Sequence, residues 1–113
     1  MNIVFGIKEI DAQGLKKKID DGEAVVLIDV RSEAEFNQGI IENGIFMPLH
    51  TLPMRINDLP KDETIIFYCR TGARSGQACN YLKQETGRDA FNLSGGIIRW
   101  YQSGFPVVQP KAG

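Results

Sequence analysis

Two apolar segments constrain the fold of this chain more than any other feature of its sequence. The first spans residues 24–30 and the second residues 64–69, and both are rich in β-branched or aromatic side chains. Neither alternates regularly between polar and apolar residues, so each is expected to be a strand buried on both faces, as in a parallel sheet. Helix-like segments separate these strands, and this alternation predicts an α/β domain with helices flanking a mainly parallel sheet.

Capping residues and short apolar runs predict the remaining elements. Asp11 suits the N-cap of a helix that ends near Gly22, and residues 32–35 form a capping box. A longer helix is predicted from Ser75 to Thr86. Further strands are expected at 7–10, 45–47 and 90–92, which makes a central sheet of five strands, and further helices are expected at 53–59 and 97–102.

Length and charge narrow the classes of function. The 113 residues predict one domain over 1–113, with a core at about 7–105 and a flexible tail at 106–113. The net charge of −1 gives no broad basic field, so neither nucleic acid nor a membrane is an expected partner. The first ten residues do not resemble a secretory signal, and the chain has two cysteines. We therefore expect a cytoplasmic protein with free thiols.

A cysteine stands where the second buried strand meets the following helix. Ligands of open α/β sheets bind beyond the carboxyl ends of strands, which directs attention to Cys69 and to Asp29 and Arg31 after the first strand. The loop after Cys69 combines backbone flexibility, hydroxyl groups and fixed positive charge. Its residues are Arg70, Thr71, Gly72, Ala73, Arg74 and Ser75.

Such a loop is suited to binding an anion. Consecutive backbone N–H groups converge in a turn of this kind, and the start of a helix adds unpaired donors and the positive end of its dipole. Arg70 and Arg74 add guanidinium groups that bind oxyanions. A cysteine in this setting is expected to have a lowered pKa, so Cys69 is the predicted nucleophile toward an anionic substrate.

Three stretches resemble the rhodanese-like, single-domain sulfurtransferase family. They are LIDVR at 27–31 followed by Glu35 and Phe36, YCRTGARS at 68–75, and NLSGG at 92–96 followed by Trp100. The resemblance implies a three-layer α/β fold and a sulfurtransferase that needs no metal or organic cofactor. In that reading Cys69 takes a sulfur atom from thiosulfate or a persulfide donor as a persulfide. A thiol or a sulfur-carrier protein, or cyanide in vitro, then accepts it.

The resemblance also assigns roles within the loop. Residues 70–75 would form the substrate-binding cradle, and Arg70 and Arg74 would attract the sulfite portion of thiosulfate. Two alternatives remain open. In the first, the protein is a non-catalytic persulfide carrier or binding module of the same fold. In the second, which is less favoured, it is a cysteine-dependent phosphatase. The loop of those phosphatases is one residue longer and ends in an arginine where this chain has Ser75.

Four residues outside the loop have competing interpretations. Asp29 and Arg31 either support the loop or simply end the first strand. Cys79 is predicted to lie on the core-facing side of its helix, and the alternative is a resolving thiol that pairs with Cys69. His50 is interpreted as a loop histidine, because nothing in its context supports a catalytic base.

Overall fold

The computed structural model describes residues 2–4 and 6–111. Within them, six strands form one sheet in the order β1-β2-β6-β5-β3-β4. The strands are Asn2–Val4 (β1), Ile7–Ile10 (β2), Val25–Asp29 (β3), Ile45–Phe46 (β4), Thr64–Tyr68 (β5) and Phe91–Leu93 (β6). β2 to β6 are parallel, and β1 pairs antiparallel with β2. The predicted α/β fold is therefore confirmed, with β1 as an additional edge strand.

Five α-helices occur within the described residues, and two short 3-10 turns flank the third. The α-helices are Ala12–Asp20 (α1), Glu33–Gln38 (α2), Leu52–Arg55 (α3), Ala73–Thr86 (α4) and Gly96–Gln102 (α5), and the 3-10 turns are Leu49–Thr51 and Ile56–Asp58. Asp11 caps α1 through its side chain, and Ser32 and Glu35 form the predicted capping box of α2. The single helix expected over 53–59 is instead one turn of α-helix followed by a 3-10 turn.

The core lies on both faces of the central strands. Alternate residues of β5 point to opposite faces, so that Ile65 and Phe67 join one cluster while Ile66 and Tyr68 join the other. Leu52 and residues of α4 cover the first face, and residues of α1 and α5 cover the second. Because β3 and β5 are buried on both sides, their sequences lack polar alternation, as the parallel arrangement requires.

Several predicted boundaries shift by one or two residues, and two of these shifts concern elements that carry the site. The longer helix begins at Ala73 and not at Ser75, because Gly72 adopts φ 111° and serves as its N-cap. The last strand is Phe91–Leu93 and not 90–92, since its register is set by pairing with Ile66 and Phe67 of β5. The first shift matters for the site, because it places the end of the cysteine loop inside the first turn of α4.

The described part of the tail packs against the face of the sheet that α1 and α5 cover. Val108 and Ile40 exchange two backbone hydrogen bonds of 2.8 Å, and the Trp100 indole N–H donates to the carbonyl of Pro106 at 2.8 Å. Residues 112 and 113 lie outside the described part of the chain, so flexibility of the tail stays a prediction. In the described residues, no helix is long and apolar enough to cross a membrane.

Candidate active site

Three parallel strands end at the edge of the sheet that carries the candidate site. β3 ends at Asp29, β5 at Tyr68 and β6 at Leu93. Cys69 follows β5 directly, and the chain then turns through Gly72 into α4. Gly72 has a φ of 111°, a backbone conformation that residues with a side chain rarely adopt, so glycine is needed for this turn. The topology therefore places Cys69 at the base of a tight loop.

The loop closes on the sulfur atom of Cys69 itself. The backbone N–H of Gly72 donates to Sγ at 3.1 Å and that of Ser75 at 3.5 Å. The Ser75 hydroxyl oxygen lies 3.3 Å from the same sulfur. Cys69 is only 1 % exposed, so little of it is open to solvent. This arrangement is suited to stabilising a charge on sulfur.

The pKa of the Cys69 thiol results from two opposing effects. Burial raises the pKa, whereas hydrogen bonds from the Ser75 hydroxyl and from the N–H groups of Ser75, Gly72 and Thr71 lower it. The hydrogen bonds prevail, and the pKa falls below its ordinary value of 9.0. The thiolate is thus stabilised mainly by neutral donors of the loop, as preorganised N–H groups do in oxyanion holes.

The other two candidate groups of the sequence lie apart from this chemistry. Cys79 is 3 % exposed within the core, and burial raises the pKa of its thiol to about 12. Both cysteines, which belong to the described residues, are free thiols. His50 is exposed and is not among the hydrogen-bond partners of the sulfur. Cys79 therefore lacks the thiolate character that a resolving cysteine needs at neutral pH.

The two arginines of the loop have different environments. Both guanidinium Nη atoms of Arg74 donate to the carboxylate of Glu35, at 2.7 and 2.8 Å. The hydrogen bonds from Arg74 lower the pKa of Glu35 from 4.5 to about 2, so the carboxylate is ionised at neutral pH. The stability that this ion pair contributes is therefore lost as the pH falls from 4.5 toward 2. Arg70 is exposed and, in the described residues, makes no side-chain hydrogen bond or ion pair. Arg70 is thus the arginine of the loop whose side chain is available to an anion.

A glycine turn after β6 holds the backbone of the loop. The first N–H groups of α5, from Ile97 and Ile98, donate to the carbonyl oxygens of Cys69 and Arg70 at 2.9 and 3.2 Å. Gly96 has φ 60°, and a Cβ atom there would overlap the Arg70 carbonyl group. The backbone of α5 and that of the loop therefore approach more closely than a side chain at this position permits.

Asp29 and Arg31 form a buried ion pair beside the loop. The guanidinium of Arg31 donates to the Asp29 carboxylate at 2.7–3.1 Å and to the Gly39 carbonyl at 2.7 Å. Their side chains are 0 % and 6 % exposed. Arg31 also lies 5.8 Å from the ring centroid of Tyr68, the residue before Cys69. None of the hydrogen bonds of the pair reaches residues 70–75, so its supporting role stays a prediction.

An open cleft of about 650 Å³ lies beside the loop, next to Arg74. Its lining includes apolar side chains of Val30, Phe46 and Leu49 and the charged side chains of Arg55 and Arg74. Arg55 donates from Nη1 to the carbonyl of Phe46 at 3.0 Å. The cleft gives a second molecule access to the rim of the loop.

Four residues that contact or flank the loop have roles that the sequence did not reveal. Glu35, Asn92 and Gly96 lie in the stretches that carry the family resemblance, yet nothing in their local sequence shows that they contact the loop. Glu9 gave no signal, because it reaches the site through Asn92, 83 residues away. Only the packing of the sheet brings these residues together.

Comparisons with known proteins show the family to which the chain belongs. The family model of the rhodanese-like domain matches residues 11–103. A sulfurtransferase of Allochromatium vinosum is 44 % identical over 105 residues, covering 93 % of this chain and 98 % of the relative. A putative sulfurtransferase of Bacillus subtilis, YtwF, is 38 % identical over 94 residues, covering 83 % of this chain and 90 % of the relative.

A solved structure has the same fold over nearly its whole length. The crystal structure of a rhodanese-related protein from Thermoplasma volcanium superposes with a TM-score of 0.81 and 33 % sequence identity, covering 89 % of this chain and 97 % of that one. Fold and site thus define an α/β protein with a loop that begins at a cysteine directly after a central strand. The chain belongs to the rhodanese-like family.

Proposed function

We propose that this protein is a sulfurtransferase that carries sulfane sulfur on Cys69 as a persulfide. One observation supports the proposal above all others: the N–H groups of Gly72 and Ser75 and the Ser75 hydroxyl converge on Sγ itself. Donors aimed at the sulfur stabilise a thiolate nucleophile and the thiolate that leaves in the second half-reaction. The names of the two curated relatives are consistent with this chemistry.

The proposed reaction has two balanced steps. The Cys69 thiolate attacks the outer sulfur of thiosulfate or of a persulfide, and the bond from that sulfur to the donor breaks. Sulfite or a thiolate leaves with the electron pair, and the negative charge now lies on the outer sulfur of the Cys69 persulfide. A thiol of a small molecule or of a sulfur-carrier protein, or cyanide in vitro, attacks this sulfur as its anion, and the electron pair of the broken bond returns to Sγ.

The loop residues have distinct proposed roles. Thr71, Gly72 and Ser75 supply the hydrogen bonds that favour the thiolate, and Ala73 is the first residue of α4. Arg70, which is exposed, attracts an anionic donor. We propose that the acceptor approaches through the cleft beside Arg74 and that the reaction takes place in the cytoplasm.

A persulfide carrier of the same fold is the second candidate, and one observation favours it. Arg74 is occupied by Glu35, so an oxyanion must compete with a bidentate ion pair to reach this guanidinium. Thiosulfate would then be a poor donor, and a persulfide delivered by another protein a better one. The phosphatase alternative is disfavoured, because the loop is one residue shorter than in those enzymes and has Ser75 where they have an arginine.

Turnover with two donors tests the proposed function. We expect thiocyanate to form from thiosulfate and cyanide over many cycles with the native protein and not with Cys69→Ser. A carrier would turn over thiosulfate poorly and a persulfide donor repeatedly. Hydrolysis of an aryl phosphate that depends on Cys69, without thiocyanate formation from either donor, would contradict the proposal.

Freeing Arg74 is expected to improve the use of thiosulfate. Glu35→Gln removes the charge that holds the guanidinium, so we predict a KM for thiosulfate about three- to tenfold lower, equivalent to roughly 0.7–1.4 kcal/mol. The KM for an alkyl persulfide is expected to change less than twofold, because that donor has no sulfonate-like group for the guanidinium to bind in a bidentate way.

Arg74→Ala is the matched control for Glu35→Gln. It breaks the same ion pair without leaving a free guanidinium, so the KM for thiosulfate should not fall. A lower KM in both variants would show that the effect comes from loosening α2 and not from Arg74. Steady-state kinetics at two ionic strengths completes the test, since only attraction between charges weakens with added salt.

A further inference from the structure

A chain of polar side chains lies behind the sulfur of Cys69, and the proposed reaction does not use its far end. Asn92 on β6 is buried, with 6 % of its surface exposed. Its amide nitrogen Nδ2 donates to the Gly72 carbonyl and to Oε2 of Glu9, both at 3.0 Å. Its oxygen Oδ1 is hydrogen-bonded to the hydroxyl of Ser75. Asn92 thus touches two residues that contact the sulfur.

The orientation of the Asn92 amide follows from its neighbours. A backbone carbonyl such as that of Gly72 only accepts hydrogen bonds, so the NH₂ group must face it. The amide oxygen then faces Ser75, and since Oδ1 is also purely an acceptor, Ser75 must be the donor in this contact. The hydrogen-bond network therefore assigns the single hydroxyl proton of Ser75 to Asn92.

The same Ser75 hydroxyl lies 3.3 Å from Sγ of Cys69. With Cys69 as a thiol, the S–H group donates to the Ser75 oxygen, Ser75 donates to Asn92, and every group has a partner. With Cys69 as a thiolate, the N–H groups of Gly72 and Ser75 donate to the sulfur, and the Ser75 hydroxyl adds a third hydrogen bond only if its one proton turns away from Asn92. Two oxygens, of Ser75 and Asn92, are then left facing each other without a proton between them.

We propose that Asn92 is a positioning residue that sets how readily Cys69 ionises, by competing with the sulfur for the hydroxyl proton of Ser75. When the thiolate takes up sulfur, the charge moves to the outer atom and Sγ becomes a weaker acceptor, so the proton of Ser75 returns to Asn92. The Ser75 hydroxyl thus donates to the sulfur when Cys69 is a thiolate, and to Asn92 when Cys69 is a thiol or a persulfide. This proposal deepens the proposed function, but its test measures ionisation and not sulfur transfer.

The pH dependence of Cys69 alkylation by iodoacetamide tests the competition. Asn92→Leu removes the rival acceptor, and we expect the midpoint of the alkylation profile to fall by about half to one pH unit, the worth of one hydrogen bond. Ser75→Ala removes the donor and should raise the midpoint. In the Ser75→Ala background, Asn92→Leu should no longer lower the midpoint, whereas in Ser75→Thr, which keeps the hydroxyl, it should.

Other charges near the loop are common to all of these variants and cancel in the comparison. They are Arg70 and Arg74 of the loop, the Asp29–Arg31 pair after β3, Glu35 on α2 and Glu9 on β2. A variant Glu9→Gln is a separate control, because it removes the charge of Glu9 while the glutamine oxygen can still accept from the Asn92 amide and the Gly72 carbonyl still fixes its orientation. Its midpoint should stay within about a quarter of a unit of the native value.

Two results would overturn the proposal. If Asn92→Leu raises the midpoint, or shifts it equally with and without the Ser75 hydroxyl, Asn92 acts only by holding the Gly72 carbonyl and with it the loop. Asn92→Met, whose thioether is a weak acceptor of similar length, repeats the measurement in case leucine prevents folding. Peptide mapping of the alkylated protein confirms that Cys69 and not Cys79 is the residue followed.

Discussion

Asp29→Ala is expected to lower the free energy of unfolding by about 3–5 kcal/mol, a large part of the stability of a domain of this size. The carboxylate of Asp29 is fully buried and accepts hydrogen bonds from both the backbone and the guanidinium of Arg31. Its removal leaves Arg31, whose side chain is 6 % exposed, as a buried charge without its counter-ion. Leaving one charge of a buried pair unpaired costs far more than the pair itself contributes.

A surface ion pair gives the matched control for Asp29→Ala. Asp20 pairs with Lys16 at 2.6 Å on α1, and its side chain is 58 % exposed. Asp20→Ala should therefore change the free energy of unfolding by less than about 1 kcal/mol. Urea unfolding measures both variants. A loss below about 1 kcal/mol for Asp29→Ala, with an unchanged slope, would contradict the view that this pair stabilises the edge of the sheet beside the site.

Gly96→Ala is expected to abolish most of the sulfur transfer. A Cβ atom at this position would overlap the carbonyl group of Arg70 and lie against that of Cys69, so α5 and the loop must separate. The two hydrogen bonds from Ile97 and Ile98 that hold the loop are then lost or lengthened. Since a displacement of about 1 Å in an active site can cost on the order of 100-fold in rate, we expect kcat/KM to fall by at least about tenfold.

Gly104→Ala separates this steric effect from backbone strain. Gly104 also has a positive φ, of 85°, but a Cβ atom there meets nothing within 4 Å. Alanine at this position should cost about 1–2 kcal/mol of stability and leave the rate of sulfur transfer unchanged. If Gly96→Ala behaves like Gly104→Ala, with a loss of stability and native kinetics, the close contact between α5 and the loop does not position Cys69.

The strands that carry the site are predictable from sequence, because burial on both faces leaves a local signature. The apolar segments at 24–30 and 64–69 correspond to β3 and β5, and the capping residues Asp11 and Ser32 act as their positions predict. The position of Cys69 at the end of β5 follows from the same reasoning. Secondary-structure propensity and hydrophobic periodicity depend on a few neighbouring residues, so the local sequence is enough to predict these strands and caps.

The contacts of the loop depend on tertiary structure and are not predictable in this way. The sequence predicts that Arg74 binds an anion of the substrate. In the fold, the carboxylate of Glu35, which is 39 residues away, accepts hydrogen bonds from its guanidinium instead. Asn92 and Ser75 are 17 residues apart and meet because β5 and β6 pair in parallel. Tertiary packing therefore decides that Arg70 and not Arg74 is free of an ion pair within the described residues, and that Asn92 accepts from the Ser75 hydroxyl.

The intact mass of the protein after incubation with thiosulfate tests the central claim most directly. We predict that the native protein gains the mass of one sulfur atom, that cyanide removes it, and that Cys69→Ser gains nothing. Cys79→Ser is the control, because Cys79 is buried with a pKa of about 12 and should not take up sulfur, so this variant should label as the native protein does. Equal labelling of Cys69→Ser and the native protein, or a sulfur atom mapped to Cys79, would contradict the assignment of Cys69 as the sulfur carrier.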